Sequence, residues 1–132
     1  MSLLYEFFTA EDDTAAAAML TVACPPPVFR TEGLRSAALA DLESLLTGRT
    51  EAEINADPRH GADVAELFDE DVGVAECGVL SVTDTLTRAL AAADVATLSS
   101  DAGWQIGAVR GLAPVARHAV RNGHRMYCLW TE

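Results

Sequence analysis

The chain has no lysine: all nine of its basic side chains are arginine. Isoleucine and asparagine occur only twice each, whereas alanine fills 24 of the 132 positions. That bias points to a GC-rich bacterial coding sequence and carries no information about activity. Cysteine is scarce and odd in number, at positions 24, 77 and 128. Three cysteines without paired spacing argue against a disulfide framework and fit buried free thiols in a reducing compartment. Long apolar runs are missing too. The longest uncharged stretch, Thr14 to Phe29, is broken by Pro25-Pro26-Pro27 and too short to cross a bilayer. The first residues lack a basic region, and Glu6 with Glu11-Asp12-Asp13 interrupts any leader-like segment. The expectation is a cytoplasmic protein with no membrane association.

What is present is an apolar half and a strong negative charge. Half of the residues are hydrophobic, which excludes general disorder. A chain of this length buries roughly two-thirds of its unfolded surface and needs no metal or disulfide to fold as one domain. The net charge of −11 excludes non-specific nucleic-acid binding, which needs a basic face. The charge is also polarised. Residues 1–101 carry −14 and residues 102–132 carry +3, the latter from Arg110, Arg117, Arg121 and Arg125 against Glu132.

The pattern of apolar residues, caps and breakers implies strand, helices, strand, helices, strand. Leu3 to Phe8 reads as a first strand, and residues 10–22 as an alanine-rich helix that the proline run terminates. Leu34, Ala38, Leu42, Leu45 and Leu46 fall on one helical face, with Gly48 as a left-handed cap. Thr50 and Glu53 form a capping box for a short helix that ends before Asp57-Pro58. Arg59 to Asp71 is charged, with one helical turn expected around Val64 to Leu67. Residues 72–82 form a strand, bulged or in a hairpin, and Asp84 caps a helix over 85–93. A short helix and a loop span Asp94 to Gly103. Gly111 and Pro114 then mark the start of a last helix that Asn122-Gly123 ends, before a closing strand from Arg125 to Trp130. The fold class is α/β or α+β, a small mixed sheet of three or more strands covered by several helices, with the first and last strands as neighbours.

The segments Leu45-Leu46-Thr47-Gly48, Ser81-Val82-Thr83 and Ala116-Arg117 through Asn122-Gly123 to Leu129-Trp130 resemble the uncharacterised bacterial YfbM-like family. They are similar also to small actinobacterial proteins of unknown role that end in a comparable strand. Where that family has a Gly-rich middle segment, this chain has the acidic stretch Glu66 to Glu76. The resemblance implies an α/β fold and no activity.

No catalytic constellation assembles from the residues. Asp57, His60, Asp63 and Glu66 recur at three-residue spacing, but Pro58 and Gly61 break the helix that would align them for a metal, so they read as a solvated loop. Cys128 reads as a buried strand thiol, Cys77 has the unhelpful Glu76 beside it, and Cys24 is expected to be the most exposed. There is no nucleophile elbow and no phosphate-binding glycine loop, and no pattern calls for a cofactor or a metal. Trp104, Arg110, Arg117, His118 and Arg121 form the candidate binding set, because aromatic and arginine side chains are enriched at binding hot spots. Arg110 joins the Arg117 and Arg121 face only if the last helix begins before Gly111.

Two functions fit. The leading one is a non-enzymatic protein-binding module, immunity-like or regulatory, in which acidity steers a basic protein partner; the first contact expected is Asp63 to Glu76 with Leu67 and Phe68 exposed. The alternative is a small enzyme or sensor taking an anionic metabolite between the sheet and the last helix, beside Trp104 and His118. The sequence leaves the oligomeric state open.

Overall fold

The computed structural model describes residues 3–69, 71, 73–98 and 103–132. One five-stranded sheet organises them: β1 (Leu4–Ala10), β2 (Phe29–Glu32), β3 (Asp63–Asp69), β4 (Val74–Ser81) and β5 (Arg125–Thr131), in the order β2-β1-β5-β4-β3. Every pairing is antiparallel, so the fold is α+β and the sheet is not mixed. The first and last strands are neighbours, as the sequence implies, running in register from Leu4 opposite Thr131 to Ala10 opposite Arg125.

The alternation of β1 sends its apolar side chains to both faces. Tyr5 and Phe7 enter a core built with α2 (Ser36–Thr47), α4 (Asp84–Ala92) and α5 (Trp104–Asn122). Phe8 and Ala10 enter a smaller core closed by α1 (Asp13–Ala17), the 3₁₀ turn Ala18–Leu20 and Cys24. Both faces of the central strands are therefore covered, which explains the nearly continuous apolar run of β1.

Several elements differ from expectation. Residues 10–22 are not one helix: β1 continues to Ala10, Asp12 caps α1 through the Ala15 amide at 2.8 Å, and the last turn tightens to 3₁₀. Residues 63–69 are a strand and not a helical turn. β2 is an edge strand that the sequence reading lacks. The cap of α4 is Thr83, whose hydroxyl accepts the Leu86 amide, and not Asp84. The expected short helix after Asp94 is a 3₁₀ turn, Val95–Thr97, and part of the loop that follows lies outside the described residues.

α5 begins at Trp104, with Pro114 inside it. Proline removes one helical hydrogen bond, and this one sits on the exposed face, where the freed carbonyl meets water. Seven buried residues from Ala108 to Ala119 anchor the helix on the sheet and outweigh its local breakers. The Gly48 cap of α2 (φ 76°) and the Thr50–Glu53 capping box of α3 (Glu51–Asn55) are as the sequence implies.

At Gly78 of β4 the Trp130 indole lies directly against the backbone: a β-carbon there would meet its Nε1 at 2.6 Å. Gly78→Ala must lift the indole from the sheet. We expect a loss of about 1–3 kcal/mol and a red-shifted Trp130 emission, measured in a Trp104→Phe background. Unchanged emission and stability would show that the indole is not seated there.

Candidate functional site

Within the acidic stretch singled out by the sequence, Asp63–Asp69 forms a strand at the edge of the sheet. Among the described residues β3 is the outermost strand and pairs only with β4. Its register to β4 shifts twice: Val64 is the extra residue between Asp63 and Ala65, whereas opposite Leu67 and Phe68 the extra residue is Glu76 of β4. A bulge leaves its residue unpaired and bends the strand that carries it. Val64 packs towards the α1-side core, while Leu67 is 43% and Phe68 55% exposed. Residues 61–76 hold six acidic and no basic side chains. Asp63, Glu66 and Glu76 are exposed and have no ion-pair partner among the described residues.

The nearest arginine in sequence, Arg59, is already engaged. Its Nη1 donates to both carboxylate oxygens of Asp13 at 3.0 and 3.2 Å, and its guanidinium lies 5.6 Å from the Tyr127 ring centroid. Tyr127 donates its hydroxyl proton to Asp13 at 2.7 Å, which with Arg59 holds the Asp13 carboxyl below its usual range. Arg59 Nε and Nη2 are buried without an acceptor, a cost that the cation–π contact partly offsets. Arg49 is likewise committed, to Glu43 at 2.6 Å and to Asp57 at 3.3 Å. Among the described residues no cation of the protein pairs with Asp63 or Glu66 on β3.

The candidate residues of α5 do not converge on one pocket. Because the helix starts at Trp104, Arg110, Arg117 and Arg121 share one exposed face. Arg117 donates to the carbonyls of Ala91 and Ala93 at 3.2 Å each, closing the C-terminal end of α4. Arg110 and Arg121 have no ion-pair partner among the described residues. His118 Nδ1 and the Thr9 hydroxyl share a 3.0 Å hydrogen bond, with the donor set by the imidazole tautomer, and the ring meets His124 edge-on at 6.0 Å. Trp104, 51% exposed, stands about 21 Å up the helix from His118 at 1.5 Å per residue. It borders a cavity of about 330 Å³ with Phe29, Thr31, Glu32 and Gly107, a lining that contains an acid and no arginine. A second cavity, of about 260 Å³, does gather Arg88, His124 and Arg125, residues outside the candidate set. Asp84 neutralises it in part, lying 3.6 Å from Arg125 Nε.

All three cysteines are buried, Cys24 included, contrary to its expected exposure. Burial pushes each thiol pKa up, and the negative charges of Glu6 (on Cys24 and Cys128) and Glu76 (on Cys77) push the same way. None is poised as a thiolate. Asp57 is spent on Arg49 and on the Arg59 amide, and among the described residues no group of three His, Cys, Asp or Glu is placed to hold a metal ion. No helix among them is long and apolar enough to cross a membrane.

No family model, curated protein or solved structure matches the chain, so the YfbM-like resemblance rests on its sequence motifs alone.

Proposed function

We propose that this chain is a non-enzymatic protein-binding module, immunity-like or regulatory and acting in the cytoplasm, whose acidic β3 edge receives a basic partner. The observation that carries the reading is the presence on one edge strand of two large exposed apolar side chains, Leu67 and Phe68, beside Asp63 and Glu66, which have no ion-pair partner among the described residues. Apolar contacts supply affinity, and a border of one charge steers an oppositely charged surface to it. The buried, unactivated thiols favour binding over covalent chemistry.

Affinity isolation from the native host with the wild-type chain and with Leu67→Ser/Phe68→Ser tests the reading. Both substitutions lie at exposed positions, so the fold survives, as circular dichroism will show. The wild type is expected to retain a stoichiometric basic protein. The variant is expected to bind it at least tenfold more weakly, and added salt weakens wild-type binding. Equal retention by both chains, or no stoichiometric partner on the wild type, contradicts the proposal.

A further inference from the structure

We infer that the partner contributes an extended, arginine- or lysine-bearing segment that adds to β3 as a sixth strand. This rests on the protein-binding reading and specifies how the partner is held. In the order β2-β1-β5-β4-β3 the outer side of β3 has no neighbouring strand among the described residues. A terminal strand presents a row of backbone donors and acceptors that another chain can complete. β3 runs for seven residues, against four in β2 at the other edge. Val64 is bulged out of the ladder, so the continuous template runs from Ala65 to Asp69, roughly 16 Å at about 3.3 Å per residue.

Charge decides what fits. Asp63 and Glu66 stand on β3 itself, within a run of six acids and no bases across residues 61–76. Opposite charges facing one another across a strand pair stabilise it, and like charges destabilise it. An incoming strand with cations near Asp63 and Glu66 and apolar residues near Leu67 and Phe68 satisfies both halves of the edge. A second copy of this chain cannot do so, because pairing β3 with β3 sets two acidic runs against each other in a molecule of net charge −11. The same carboxylates therefore reject self-association and select a basic strand.

The test uses the full chain and a ten-residue peptide that alternates arginine with valine or threonine. The control is the same peptide N-methylated at four consecutive central amides, which removes donors from both of its edges and keeps its charge. Calorimetry reads affinity, and amide exchange followed by NMR reads the site. Strand addition predicts binding of the unmodified peptide, slowed exchange confined to residues 65–69, and at least tenfold weaker binding of the methylated peptide. Equal binding of the two peptides, or no binding of either at 0.1 M salt, overturns strand addition. The protein-binding reading then still stands if the host partner is lost on Leu67→Ser/Phe68→Ser. Slowed exchange of the same amides without peptide, together with a dimeric mass, overturns it in favour of a second copy.

Discussion

Glu43→Ala is expected to lower the unfolding free energy by about 1–3 kcal/mol, the usual cost of leaving a buried polar group without its partner. Glu43 is completely buried. It accepts from Arg49 Nη1 at 2.6 Å and from the Thr83 hydroxyl. Thr83 is also buried, and its hydroxyl oxygen caps α4 by accepting the Leu86 amide at 3.1 Å. One carboxylate thus ties α2 to the N-terminus of α4 and, through Arg49 and Asp57, to the segment after α3. Alanine leaves the partly exposed Arg49 guanidinium to Asp57 and the Glu53 carbonyl, and leaves the buried Thr83 hydroxyl without its acceptor, at the cost of an unmet polar group. Against a total stability of about 5–15 kcal/mol the loss is large. Urea unfolding at neutral pH measures it, and Glu43→Gln, which keeps the shape and the Thr83 hydrogen bond, should lose less. A change below about 1 kcal/mol for the alanine variant would show that the network is dispensable.

The second large effect is alkaline. Tyr127 is buried against the Phe8 ring, with its hydroxyl on Asp13. Burial and the hydrogen bond to the Asp13 carboxylate push its pKa up to about 12, while Arg59 opposes them. In the unfolded chain a tyrosine titrates near 10. The folded state therefore holds the phenol proton more tightly. The resulting stabilisation is fully present below about pH 10 and is lost as pH rises through about 12. Two pH units correspond to roughly 2–3 kcal/mol. Urea midpoints at several pH values from 8 to 12 should fall for the wild type, and the fall should be reduced by about that amount in Tyr127→Phe. Parallel curves would show that Tyr127 ionises as it does in water. The acid side has the opposite sign: the lowered Asp13 pKa stabilises above its unfolded value, and that contribution disappears as pH falls.

The elements that were legible in the sequence are those whose local signals agree with their packing. A helix ending at the Gly48 cap and the Thr50–Glu53 box lie where the structure has them, and so does the adjacency of β1 and β5. The expected apolar face is shifted, because Leu34 precedes α2, Leu45 is exposed and Leu39 is buried in its place. β3 was hidden by its own bulge at Val64 and by its charge pattern, which breaks the period of two and leaves acids at 63, 66 and 69 with apolar residues at 64, 65, 67 and 68. That three-residue rhythm reads as a helix. β2 was hidden by brevity, since four residues after a proline run give no period to count. The start of α5 was hidden because Gly107, Gly111 and Pro114 are local breakers that tertiary burial overrides.

The candidate binding set shows the same division. The shared face of Arg110, Arg117 and Arg121 was legible from spacing. That Arg117 serves the end of α4, and that His118 is tied to Thr9, depend on contacts 24 to 109 residues apart in sequence, which no local pattern records. The exposure of Leu67 and Phe68 beside acidic residues was legible in the sequence. Their place on an edge strand was not, because strand order is a property of the whole sheet.

The most direct test of the central claim is hydrogen–deuterium exchange on the complex between the chain and its isolated host partner. Protection concentrated on residues 63–68, and abolished by Leu67→Ser/Phe68→Ser, is the predicted result. Protection on the arginine face of α5 or along β2, with β3 exchanging as in the free chain, would contradict it.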